Sequence, residues 1–281
     1  MSLKVSFHKS PKGKSDAVAV PVYKGSKLGA DAVALDKECG GLIAKHLKKQ
    51  KKFTGEKAQV LVMTAPANMV YAHIVLLGMG DPAKINEAAC EAAGGKLAVA
   101  LAGTGAVNAV LIAAGEKAGI DSGTLAAHIA MGMNLRSYGF DKYKTAPKKD
   151  TGLKTVMVAG AQATAAEKIY ARLEKAARGV FFARDMVNEP PNNLYPDSFA
   201  KKIKAELTPH GVKVEIFDEK QMAKMGFGAA LAVGQGSARL PRIVVMRWNG
   251  AGASKKSKGP IAFVGKGVTF DTGGVDIKPA D

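Results

Sequence analysis

Apolar residues recur along this chain in two rhythms, and the two alternate. A period of two runs through "LKVSFHK" (3–9) and "DAVAVPVY" (16–23), which read as half-buried strands. "AQVLVMTA" (58–65), "YAHIVLLGMG" (71–80) and "LKTVMVAG" (153–160) are β-branched apolar runs of strand length. "GGLIAKHLKKQKKF" (40–53) has instead a helical period with a basic outer face. "GDPAKINEAACEAAGGKLAVAL" (80–101) predicts a helix entered through a Gly-Asp-Pro turn, with Asp81 as N-cap and Pro82 at the first helical position. "DSGTLAAHIAMGMNLRSYGF" (121–140) predicts another helix. Strand and helix in alternation are best accommodated by a mixed or parallel sheet with helices on its faces, an α/β fold.

A long helical pattern covers 164–188, with Thr164 and Glu167 spaced as a capping box, and breaks at "EPPNNLYP". This helix reads as a linker. The expected division is an N-terminal α/β domain over 1–165 and a second region over 166–281. The second region repeats α/β logic. Pro196, Asp197 and Ser198 lead into a helix, "VKVEIFD" is a strand, and "EKQMAKMGFGAALAVGQG" is a helix running into a glycine-rich loop. "RIVVMRWNG" and "PIAFVGKGVTF" (260–270) are read as further strands.

Composition narrows the class. The chain of 281 residues is 47% hydrophobic and holds 32 glycines, which suits close helix-on-sheet packing. Its two cysteines, Cys39 and Cys90, are too few for a disulfide scaffold or a Cys-based zinc knot and read as small buried hydrophobes. The start lacks the features of a secretory signal, and no apolar run reaches membrane-spanning length. A reducing, cytoplasmic setting fits. The formal charge of +17 comes mostly from lysine, as in "KHLKKQKKF". Dispersed lysine is ordinarily a solvated surface, although the same charge suits nucleic acid or an acidic partner.

Common motifs fail on spacing. "VGKGVT" lacks the glycine pair and the Ser or Thr of a phosphate loop, and "GMG" and "GTG" lack a third glycine. No His-Glu-x-x-His helix or nucleophile elbow occurs. What remains is "GKGVTFDTGGVDIKPA" (265–280). There Asp271 follows an apolar stretch between Lys266 and Lys278, with glycines on both sides. Ligands of open α/β sheets sit beyond the carboxyl ends of strands. A turn cap, an anion site and a metal site all fit Asp271, and spacing alone does not choose.

That segment resembles the metal-binding signature of the cytosol or leucyl aminopeptidase family of two-metal peptidases. "NLRSYGFDKYKT", "ARDMVNEPPNNLYP" and "KMGFGAALAVGQGSARLPRIVVMRW" resemble other parts of the same family in the same order, and the likeness is strongest from about residue 134 onward. The resemblance implies a macro-like N-terminal domain followed by the first part of a metallopeptidase domain with a central mixed sheet. It implies Lys266 as ligand of one metal, Asp271 as ligand or bridge of the pair, and Lys278 as the catalytic cation facing the substrate carbonyl. The metals would be manganese or zinc, with magnesium or cobalt as alternatives, and a bicarbonate would assist. Peptides would be the substrates, cleaved after an N-terminal leucine-like residue by metal-activated water. Assembly would be a homohexamer. The remaining ligands would lie downstream of Asp281, so the 281 residues alone would be inactive.

The two lysines would have opposite protonation demands. A lysine amine binds metal only when neutral; with a reference pKa of about 10.4, neutrality at pH 7 costs about 4.6 kcal/mol. Two divalent cations can supply that shift at Lys266. Lys278 would stay charged to meet developing negative charge. Gly265, Gly267, Gly273 and Gly274 are read as backbone-shape residues, and Asn188, Pro190 and Asn192 as shaping the junction. Two rival readings are a DNA-binding relative with the same enzyme body and a catalytically inactive structural relative.

Overall fold

Strand β2 (Ala17–Tyr23) is buried at all seven positions, and the architecture of the N-terminal half follows from it. The computed structural model describes residues 3–113, 119–145, 152–250 and 259–271. The alternation in "DAVAVPVY" had suggested a half-buried strand. Instead β2 lies in the middle of a sheet covered on both faces, so every side chain is inside. Pro21 is tolerated because β6 (Asn108–Ile112) pairs only with Ala17–Ala19, leaving that side of the strand without need of a further donor.

Among the described residues seven strands form this sheet, in the order β1-β7-β6-β2-β5-β4. Here β1 is Lys4–His8, β4 Val60–Thr64, β5 His73–Gly80 and β7 Thr155–Ala159. The short strand β3 (Lys27–Leu28) pairs antiparallel with β2. The pairs β1–β7, β7–β6, β6–β2 and β2–β5 are parallel, and β4 closes one edge antiparallel to β5. The mixed sheet expected from the sequence is therefore present. Strand β6 had not been recognised as one, because its apolar run flows into the preceding helix pattern without a proline break.

Successive β2 residues feed two cores. Val18, Val20 and Val22 join Ile74, Leu76 and Val110 beneath α1 (Ala30–Glu38) and α2 (Leu42–Lys49), which contribute Ala32, Leu35 and Ile43. Ala17 and Ala19 join Val75, Leu77, Leu111 and Val158 on the other face. That face is covered by α3 (Glu87–Gly103), α4 (Ser122–Arg136) and α5 (Ala163–Asn188), through Leu97, Leu101, Ile129, Met133 and Tyr170. Each such leucine or isoleucine contributes about 1.5–3 kcal/mol relative to its exposed state.

Local signals account for most helix starts, with corrections. Asp81 and Pro82 open only a 3₁₀ turn, Pro82–Lys84; α3 starts one turn later, where the Asn86 side chain accepts from the Ala89 amide at 2.9 Å. Asp121 caps α4 by accepting from the Thr124 amide at 3.0 Å and from its hydroxyl. The Thr124 hydroxyl, with backbone amides, holds the Asp121 carboxyl below its ordinary range. Thr164 is not a cap, since α5 already begins at Ala163. Helix α1 carried no recognised signal; it starts at Gly29 with no side-chain cap.

Helices α3 and α4 pack backbone to backbone. A Cβ on Gly94 would sit 2.0 Å from the Ile129 carbonyl oxygen, and one on Gly132 would sit 2.0 Å from that of Glu91. Beside this crossing the buried His128 ring places Nδ1 2.8 Å from Glu91 Oε1. Cys39 and Cys90 are both buried and free, as expected. Burial, reinforced by Glu91 and Glu87, pushes the Cys90 thiol up to about 12.

The second compact unit, Arg184–Asp281, follows the first, Met1–Ala183. The sequence reading had put the boundary near 165. In the second unit α6 (Pro196–Leu207) leads to β8 (Lys213–Phe217), α7 (Glu219–Lys224), α8 (Gly228–Val233) and β9 (Ile243–Arg247). The single helix expected over 219–233 is two, because Gly226 turns the chain at φ +79° between them. Strands β8 and β9 pair antiparallel.

Gly132→Ala should lower unfolding free energy in urea by about 1–3 kcal/mol, since neither helix backbone can yield the space. Gly103→Ala, with open space around its Cβ, should be neutral or stabilising. Equal effects would contradict a tight α3–α4 crossing.

Candidate functional site

In the second unit one arginine links two helix starts to a strand. Arg242 stands just ahead of β9, and its guanidinium, 18% exposed, reaches two helix starts. Nη1 donates to Glu219 Oε2 at 2.8 Å in the first turn of α7. Nε donates to Asp197 Oδ1 at 3.4 Å in the first turn of α6. Carboxylates belong at helix N-termini, where the macrodipole favours negative charge, so the acidic residues already have a local reason to be there. Asp197 also meets Lys201 Nζ at 2.7 Å. The Lys201 hydrogen bond, with Arg242 adding, holds the Asp197 carboxyl below its ordinary range. Reciprocally, Asp197 raises Lys201.

A second pair lies where α5 gives way to the 189–195 turn. Glu189 has a side chain only 3% exposed and meets Lys202 Nζ of α6 at 3.1 Å. The turn itself is closed by the Asn193 and Leu194 amides, which both donate to the Pro190 carbonyl. Tyr195 carries the Arg239 guanidinium 4.0 Å over its ring. None of these contacts was foreseen. The only sequence signals were the acidic residues directly after Tyr195-Pro196 and at Asp218-Glu219.

The residues expected to carry chemistry lie further along the chain. Lys266 and Asp271 lie in 259–271, both exposed. The strand expected over 260–270 is absent among the described residues of that segment. Phe263 is 94% and Val264 100% exposed. Among the described residues, β8 and β9 pair with each other, and the segment joins neither of their outer edges. One anchor is visible at Gly267, where a Cβ would come 2.9 Å from the Phe199 ring of α6. Lys278, Gly273, Gly274 and Asp281 fall outside the described residues.

Among the described residues no group of three or more His, Cys, Asp or Glu side chains could hold a metal ion. The chemistry of Lys266 and Asp271 suits a metal pair, but their number does not. One amine and one carboxylate cannot satisfy two divalent ions that each need four or more donors. By themselves these residues do not form the metal centre.

Comparison with known proteins decides what kind of chain this is. Residues 19–147 match the N-terminal domain of the cytosol aminopeptidase family, and residues 181–281 match its catalytic domain. The chain belongs to the cytosol aminopeptidase family. A probable cytosol aminopeptidase of Caulobacter vibrioides is 41% identical over 271 aligned residues, covering 96% of this chain and 53% of that protein. One from Rhizobium meliloti is 41% identical and covers 100% of this chain and 55% of its own length. The chain thus spans about half the length of these relatives. Among solved structures, a mutant of tomato leucine aminopeptidase has a TM-score of 0.73 at 22% identity, covering 86% of this chain and 50% of that one. The bottromycin maturation enzyme BotP in complex with Mn has a TM-score of 0.65 at 24% identity, covering 83% and 45%. At those identities the structures speak for the fold.

Arg242→Met should lower unfolding free energy by about 1–3 kcal/mol, since two carboxylates at helix starts lose a charged donor. The Asp197 pair adds a pH signature. Its carboxyl is depressed on folding, so its contribution is complete above the unfolded value of about 3.9 and fades as pH falls through the lower folded value. Urea melts of Asp197→Asn should therefore converge with wild type in acid and diverge toward neutrality. Parallel curves at all pH values would show the pair contributes nothing.

Proposed function

We propose that this polypeptide is part of a metal-dependent aminopeptidase that removes N-terminal, leucine-like residues from peptides. The observation that carries this is the ordered pair of family matches on a chain 41% identical to probable cytosol aminopeptidases along nearly all its length. Lys266 and Asp271 are assigned as part of the ligand set for two divalent ions, manganese or zinc by preference. The other ligands are assigned to the half of the family length that this chain does not span.

Lys278 is assigned as the cation that meets negative charge growing on the scissile carbonyl oxygen as water adds. Such a preplaced charge lowers the barrier only if it is better matched to the transition state than to the peptide. The strand order of the first unit supports its assignment as a macro-like domain. A cytoplasmic setting and a homohexamer complete the proposal. No helix among the described residues is long and apolar enough to cross a membrane.

Hydrolysis of leucine p-nitroanilide with added manganese tests the reading. The 281-residue chain alone should be inactive. The polypeptide extended to the relatives' full length should be active and lose activity on chelation. In that protein Lys278→Ala should reduce kcat by about 10²–10³-fold, the usual effect of removing one oxyanion donor. Lys266→Ala and Asp271→Ala should lower both activity and bound metal, measured by elemental analysis. Full metal content in both variants would remove these residues from the ligand set, and a metal-independent enzyme would end the proposal.

A further inference from the structure

A strand at the end of a sheet leaves half of its backbone donors and acceptors without a ladder, and β4 is such a strand. Two hydrogen bonds fix which half. The Gly78 amide donates to the Gln59 carbonyl at 2.8 Å, and the Ala65 amide donates to the Ala72 carbonyl at 2.9 Å. Gln59, Leu61, Met63 and Ala65 therefore turn their backbone groups toward β5. The alternation of an antiparallel strand turns those of Val60, Val62 and Thr64 outward. Among the described residues no strand, loop or side chain takes up these outward groups. Val62 is 43% exposed and Thr64 is exposed too, whereas the Met63 side chain is buried on the other face.

Natural sheets guard such an edge with charge, proline or a bulge. The other edge strands among the described residues do carry charge: Lys4 on β1, Lys27 on β3, Lys213 and Glu215 on β8, and Arg247 on β9. Strand β4 reads VLVMT, with no charged residue and no proline, and it pairs with β5 without a register shift. An irregularity at Ala58, with φ +60°, comes before the strand begins.

We propose that the outer edge of β4 is an interface with a second copy of this chain, the two β4 strands pairing antiparallel about a two-fold axis through Val62. The residue order selects this partner. About that axis Val62 faces the partner's Val62, and Val60 faces the partner's Thr64. Every outward N–H and C=O then meets its complement, giving about six hydrogen bonds. All the facing pairs are β-branched, the type that suits a pleated surface. A foreign peptide added to an edge is chosen by side-chain pockets or charge beside it, and β4 offers small branched side chains without charge. The same edge serves both copies, so the contact is isologous and closes at two. It involves the first unit alone and does not depend on the peptidase reading. The formal charge of +17 on each copy opposes it, and salt screens that repulsion.

Cross-linking of the 281-residue chain at Val62 tests this. In a hydrogen-bonded antiparallel pair the facing Cα atoms stand about 5.5 Å apart, within reach of a disulfide. Both native cysteines are buried and do not compete. Under mild oxidation Val62→Cys should become mostly covalent dimer. Val180→Cys, on α5 and similarly exposed, should stay mostly monomer. In sedimentation equilibrium the parent should approach twice the monomer mass as concentration rises, and sooner in about 0.5 M than in about 0.05 M salt. Val62→Lys sets two cations face to face on the axis. It should stay monomeric over the same range while keeping the parent's melting temperature. Thr64→Lys should weaken the dimer in the same way, so that a folding defect of one variant does not decide the matter. Equal cross-linking at 62 and 180 would overturn the proposal. So would a parent that is monomeric throughout, or lysine variants that associate like the parent.

Discussion

A β-strand has two needs, a ladder along its edges and cover over its faces, and the two units meet these needs unequally. In the first unit β2 has β5 and β6 at its edges and helices on both faces. Once β2 is central, the placement of the other strands and the five helices follows from burying both of its faces. The glycines of the α3–α4 crossing serve the same end, by letting two helices share one face of a sheet whose exposed area is limited.

Among the described residues of the second unit, β8 and β9 are the strands that pair, and they pair with each other. An isolated two-stranded pair is marginal in water, so other contacts matter more there. That is why Arg242 carries weight. It links the starts of α6 and α7 to the strand it precedes, through contacts that do not require a large apolar core. Meanwhile Ile261, Phe263 and Val264 are exposed. Their composition is that of a core strand, yet the described residues give them no strand partner.

Legibility in the sequence divides along the same line. Elements set by short-range chemistry were readable: β1, β5, β7 and α4 stand close to where the pattern places them, and Asp121 caps as its position suggests. Readings that depended on competition between neighbours went astray. Asp81 lost the cap of α3 to Asn86 because proline at 82 favoured a separate 3₁₀ turn. Met225-Gly226-Phe227 split a helix whose apolar period runs through it unbroken. Burial of β2 on both faces was hidden, because alternating valine and alanine look half-buried when the second layer of helices is not known.

For the site the asymmetry is sharper. Lys266, Asp271 and Lys278 were singled out from residue order alone, because a family signature is a matter of order. A metal centre is a matter of convergence, and convergence requires every donor to be delivered by a folded element within a few ångströms. Lys266 and Asp271 are on an exposed segment held at Gly267 against Phe199. Their chemistry therefore depends on whether that segment is taken into a sheet. In a regular strand successive residues point to opposite faces, so Lys266 and Asp271, five positions apart, would share a side only if a bend or bulge broke the alternation between them. The backbone between the two residues, before any ligand is considered, therefore decides whether they can converge.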